Sequence, residues 1–223
     1  MAINLKKAKD QDLKNLDARE LREPGWYQFV VTDSELVAAK STQAMGNLTL
    51  QQLTVEDDPS SKTGAKITTR VMFPDIEDEE AFVKAAIEGK KKLKDKTTMV
   101  DESNGDQYIA ERLKDSARGV RDVGLALAGY DELPAVPRWN KGDKCFLYPD
   151  GSVATSEEKE AAVEVRNQAA YDYAIDGFMG KIDLVQHTVY ASLKHVEFKG
   201  QMREEIGYLR PTLPMDAKLL GVA

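Results

Sequence analysis

Hydrophobic and polar positions follow a two-residue period at the beginning of the chain, a helical period through its middle, and a two-residue period again towards its end. Residues 26–42, WYQFVVTDSELVAAKST, are rich in aromatic and β-branched side chains that suit a pleated, half-buried surface, and they predict a long strand interrupted near Asp33 and Ser34. In GNLTLQQLTVEDD, Leu48 and Leu50 share one face, then Leu53 and Val55 resume with the phase shifted by one. That slip is the pattern of a β-bulge at Gln51 and Gln52. A third strand is predicted in AKITTRVMFPD, where Ile67, Thr69, Val71 and Phe73 alternate with Lys66, Thr68, Arg70 and Met72. The intervening DDPSSKTGA has the Pro, Ser and Gly of a hairpin loop.

The period then lengthens. Residues 78–93 predict a helix with Phe82, Ala86 and Leu93 on one side. The acidic run DIEDEE stands at its beginning and the basic run KKKLKDK at its end, which complements the helix dipole; a phosphate track of Lys90, Lys91, Lys92 and Lys94 is the competing reading. Residues 107–128 predict a second helix carrying Ile109, Leu113, Val120 and Leu127, stopped by Gly129. A third is predicted over 156–176, opened by the capping box of Thr155 and Glu158. Strands return at 187–198 and 202–211, joined by a turn at Lys199 and Gly200.

Three strands, a helical block and two strands predict a mainly β, α+β protein: a five-stranded Greek-key barrel of the OB type with a helical insertion. The expected organisation is an N-terminal arm over 1–24, a barrel domain over 25–211 with the insertion at about 78–176, and a tail over 212–223. Tyr27 and Phe29 are expected in the core and Trp26 at the rim, because a barrel of this size needs large inward side chains.

Composition narrows the function classes. The chain has 223 residues, 31% of them charged and 42% hydrophobic, as expected of a folded domain. No run of eighteen apolar residues and no secretory leader pattern is present, so a cytoplasmic protein without a membrane role is expected. The single Cys145 has no partner for an internal disulfide and reads as a small packed side chain. A net charge of −7 argues against coating nucleic acid with the whole surface, but leaves room for a local basic track.

Catalytic constellations are scarce. The chain lacks the Walker phosphate loop, the dinucleotide-binding glycine pattern, a C-x-x-C pair and the G-x-S-x-G elbow, so no cofactor and no zinc site is expected. His187 and His195 are expected to be structural or solvent-facing. Asp75, Asp78 and Glu80 are the side chains a magnesium-dependent nuclease would use, and that reading ranks third because the same run serves to cap a helix.

Binding single strands without sequence preference asks only for flat rings to stack bases and cations to hold the backbone. Candidates of both kinds are present. They are Trp26 and Lys40 on the first strand, Lys66 and Arg70 on the third, and Tyr190, Lys194, Arg203, Tyr208 and Arg210 on the closing pair. The stretch RWNKGDKCFLYPDG, inside the insertion, adds Arg138, Trp139, Lys141, Lys144 and Tyr148; it is either a packed hairpin or a clamp that Cys145 and Phe146 anchor to the body, leaving the other five to flank the binding groove.

The runs PGWYQFVVTDSELVAAKSTQAMGNLTLQQLTVED and GKIDLVQHTVYASLKHVEFKGQMREEIGYLRP resemble the OB-fold single-stranded-DNA-binding proteins encoded by tailed phages. The likeness is carried by Gly25 and Tyr27, by Lys40 and Ser41 approaching Gly46 and Asn47, and by Lys199 and Gly200 leading to Tyr208 and Pro211. VRDVGLALAG between the strands also fits. The resemblance implies a non-catalytic protein that coats exposed single-stranded DNA during phage replication or recombination in the host cytoplasm, with replication or recombination proteins as further partners. Such proteins commonly carry an acidic tail that recruits those partners, whereas residues 212–223 contain one acidic residue, Asp216. The alternative expectation is a protein-interaction or structural module of a phage replisome or virion that does not bind nucleic acid.

Overall fold

A computed structural model describes residues 21–37, 43–53, 65–129, 132–198 and 200–220. Strands β1 (Gly25–Val37), β2 (Gln43–Gln52) and β3 (Lys66–Ile76) are followed by helices α1 (Glu79–Glu88) and α2 (Gly105–Ala128). Three short strands come next, β4 (Arg138–Asn140), β5 (Cys145–Leu147) and β6 (Val153–Ala154), then helix α3 (Ser156–Phe178) and strands β7 (Thr188–Phe198) and β8 (Gln201–Arg210). The protein is thus a mixed α+β fold with three helices among the described residues.

The long strands form one antiparallel sheet in the order β3-β2-β1-β7-β8, and β4, β5 and β6 form a small sheet of their own. β3 and β8 are the edges and are not hydrogen-bonded to each other, so the sheet is open where the expected barrel would close. The two edge strands approach each other without pairing, and helix α2 packs against both.

Alternation decides which face is covered. Tyr27, Phe29, Val31, Leu48, Leu50, Val71, Phe73, Val189, Ala191 and Leu193 point to one side and join the buried stripe Val120, Val123, Ala126 and Leu127 of α2 in a single core. Phe29, Leu48 and Val120 have no exposed surface, and burying each contributes roughly 1.5–3 kcal/mol. Phe178, at the end of α3, meets Phe73 edge to face at 5.7 Å and lies over Gly46, where any Cβ would stand within 3 Å of the ring. The expected inward positions of Tyr27 and Phe29 are therefore observed.

Several local expectations hold. Asp78 caps α1 through the Ala81 amide, Thr155 and Glu158 form the capping box of α3, and Gly129 ends α2 with φ of 71°. The interruption expected near Asp33 is a register shift between Val31 and Asp33 within a continuous β1. Two expectations fail. No bulge occurs at Gln51 and Gln52: Gln52 keeps the inward phase and is buried because its side-chain oxygen accepts from the Arg22 guanidinium. The basic run 90–96 lies after α1 rather than on it: the helix ends at Glu88, Lys90 just beyond its cap is left-handed, and Lys96 makes a second left-handed turn within the run. Most of the 1–24 arm lies outside the described residues, as do Val55 and the DDPSSKTG loop. The tail, for which no packing was expected, reaches back to the start of β1, where the Leu220 amide donates to the Trp26 carbonyl and its side chain joins the core.

Helices α2 and α3 touch through Gly124, where a Cβ would stand 1.7 Å from the Ala170 carbonyl oxygen. Gly124→Ala should therefore force the helices apart. The clash should outweigh the better helix propensity of alanine and destabilise the protein by about 1–3 kcal/mol in urea denaturation.

Candidate nucleic-acid interface

Strand register brings most of the expected binding residues to the face of the sheet opposite the core. On β1 and β7, Trp26 pairs with Ser192 and Gln28 with Tyr190, all turned away from the buried side chains. On β8, Tyr208 is opposite Ser192 and Arg210 opposite Tyr190, so Trp26, Ser192 and Tyr208 make one row and Gln28, Tyr190 and Arg210 the next. Lys194 and Arg203 continue this face towards the hairpin turn, and Lys66 and Arg70 stand on it across β2. Trp26 and Tyr190 are half-buried, whereas Tyr208 is 66% exposed.

A bulge decides the orientation of Tyr208. Leu193 pairs with Ile206 and Ser192 with Tyr208, which leaves Gly207 as an extra residue. Ile206 packs against the core, and strict alternation would send Tyr208 and Arg210 inward after it. The extra residue reverses the phase and turns both outward. The Tyr208 amide donates to Ser192 Oγ at 2.9 Å, and a Cβ on Gly207 would come equally close to that oxygen.

The same hairpin is tied to the start of β1 by a buried ion pair. Arg22 Nη2 lies 2.6 Å from Glu204 Oε2, with side chains 5% and 18% exposed. The Arg22 guanidinium also lies over the Phe29 ring, 5.4 Å from its centroid, and its carbonyl accepts from His195 Nε2 at 2.7 Å. His187 Nδ1 donates to the Leu184 carbonyl at 3.0 Å, which leaves Nε2 to accept from Tyr173 Oη at 2.9 Å. Burial, with Glu132 nearby, pushes the Tyr173 phenol up to about 12. Both histidines are engaged in structural bonds, as expected.

Between the edges of the sheet runs a cleft of about 850 Å³ lined by β3, β8, α2 and the first half of α3. It collects Arg70, Arg112, Arg121, Arg166 and Arg210, with Tyr208, against two carboxylates, Asp115 and Asp122. Asp122 holds Arg121 at 2.6 Å, and Asp115 holds Lys94 at 3.0 Å and Arg118 at 3.9 Å. The hydrogen bond from Lys94 keeps the Asp115 carboxyl below its ordinary range. Arg112, Arg121 and Arg166 escaped the sequence reading, since on a helix they read as solvated charges. They line one cleft with Arg70 and Arg210 because α2 packs on β3 and β8 and α3 packs on α2.

The RWNKGDKCFLYPDG stretch is a hairpin outside the main sheet, β4 paired with β5 and β5 with β6. Trp139 is 54% exposed and meets Phe146 edge to face at 5.1 Å. Arg138, Lys141 and Lys144 are exposed, Tyr148 is half-buried, and Cys145 and Phe146 are half-buried as the expected anchors. Lys159 of α3 lies 5.9 Å from the centre of the Phe146 ring, one turn before Val163 at the cleft, and Val136 of the cleft precedes β4 by two residues. The hairpin therefore adjoins the cleft. Lys40 lies outside the described residues.

Among the described residues no group of His, Cys, Asp and Glu side chains is arranged to hold a metal ion, and no helix is long and apolar enough to cross a membrane. Comparison with known protein families and with curated proteins finds no match to the chain.

Lys94→Ala should raise the Asp115 carboxyl towards the ordinary aspartate range, as read by carbon-detected NMR titration. The sign follows from the pair: a lowered carboxyl contributes stability that is present above its unfolded value and is lost as pH falls through the folded one. The variant should accordingly lose less stability than the parent on acidification.

Proposed function

We propose that this protein binds single-stranded DNA without sequence preference on the outer face of its five-stranded sheet, as a non-catalytic factor in phage DNA replication or recombination. The observation that carries this reading is the exposed Tyr208 ring, set on one face with Trp26, Tyr190, Lys194, Arg203 and Arg210. Rings stack bases of any identity, and the cations beside them neutralise phosphates, which is the chemistry of sequence-independent single-strand binding. The strand order also agrees with a five-stranded OB barrel opened between its third and last strands. Three acidic side chains among the described residues share the face: Glu35 accepts from Asn47 at 2.9 Å, Glu205 lies 3.4 Å from Lys194, and Asp33, opposite Thr49, is exposed.

The test is titration with oligo-dT over a range of salt. With roughly four phosphates neutralised, log affinity should fall against log salt with a slope of about 3. Tyr208→Ala should weaken binding by about 1–3 kcal/mol, and Arg210→Ala should reduce the slope by about 0.7. Absence of binding at low salt would instead favour the protein-interaction module.

A further inference from the structure

We infer that the arginine cleft between β3 and β8 is a phosphate-binding site in its own right, and that it holds the backbone of the bound strand where it passes from the sheet face to the helices. The second clause rests on the single-strand reading of the sheet; the first does not.

Four separate elements deliver arginine to this cleft, and no lysine or glutamate lines it. In a chain with net charge −7, such a concentration of one cation is a local excess. The cleft's own carboxylates are occupied, Asp122 by Arg121 and Asp115 by Lys94 and Arg118, with the Arg112 charge also near enough to lower the Asp115 carboxyl. Arg70 and Arg210 have no carboxylate within ion-pairing distance among the described residues. Arg112 lies over the Tyr108 ring at 4.9 Å, and its Nε is buried without an acceptor. A buried Nε donor lacking an acceptor is costly, although the rest of the Arg112 side chain is half-exposed.

Phosphate fits these groups better than a carboxylate ligand does. The arginine fork pairs with two oxygens of one phosphate, and a tetrahedral anion offers oxygens in several directions at once, towards β3, β8 and α2 together. Tyr208 belongs to both surfaces, as the exposed ring of the sheet and as a wall of the cleft, so a strand stacked on it has its next phosphates directed at the arginines.

The phosphate could belong to a nucleic-acid backbone or to a free polyphosphate, and two probes separate them. Calorimetric titration of the full chain with inorganic tripolyphosphate at low salt tests the cleft without any base to stack, and oligo-dT tests the strand. Arg112→Ala is expected to weaken both by about tenfold or more, the scale of one lost charged hydrogen bond, while Tyr208→Ala weakens oligo-dT alone. Tripolyphosphate binding that Arg112→Ala removes, with no oligo-dT binding, upholds the phosphate site and overturns the strand reading. Oligo-dT binding sensitive to Tyr208→Ala but not to Arg112→Ala or Arg70→Ala, with no tripolyphosphate bound at millimolar concentration, overturns the cleft and keeps the sheet. If Arg112→Ala does not fold, the parent protein's tripolyphosphate titration decides: no heat of binding refutes the site.

Discussion

The structure depends on the burial of α2 against the inner face of an open sheet. A curled antiparallel sheet with a large apolar face must either close on itself or cover that face with another element. Here Val120, Val123, Ala126 and Leu127 cover it, and α3 backs them through Gly124 and Phe178. α2 packs on both β3 and β8, whose edges approach without pairing, and a cleft lined by the two strands and the helix remains beside it. Core and cleft are thus two consequences of one packing choice.

That choice also sorts charge. The protein is acidic as a whole, yet the cleft beside α2 holds Arg112 and Arg121 of that helix, Arg166 of α3, and Arg70 and Arg210 of the strands, against two carboxylates, Asp115 and Asp122. Several acidic groups serve local structure: Asp78 caps α1, and Asp95, Asp101 and Asp150 tie turns, with hydrogen bonds from Thr98 lowering the Asp95 carboxyl to about 2. Glu204 neutralises the buried Arg22 at the hinge of β1 and β8. Removing either member would leave a charge stranded in a low-dielectric site, so the clasp specifies how the hairpin sits on the sheet.

Legibility in the sequence followed the range of the forces involved. Strand and helix identity, the two caps and the glycine stop were readable because they arise from neighbours within about four residues. Gln52 was misread because its burial depends on Arg22, which belongs to a distant segment. The basic run after α1 was misread as its last turn, since periodicity does not reveal where a backbone turns left-handed. The tail docks through Leu220 on the Trp26 carbonyl, a contact without any local period.

Alternation in the chain by itself determined that Tyr27, Phe29, Leu48, Leu50, Val71 and Phe73 face the core and that Lys66 and Arg70 remain outside, because a pleated strand can face only two ways. It did not determine how the sheet ends or what the last strand displays. Those were decided by tertiary structure: β3 and β8 approach each other without pairing while α2 packs on both, and the extra residue Gly207 turns Tyr208 and Arg210 outward after Ile206 has faced the core. A one-residue bulge exists only against a neighbouring strand, and a cleft only between elements far apart in the chain, so neither is written in any local pattern.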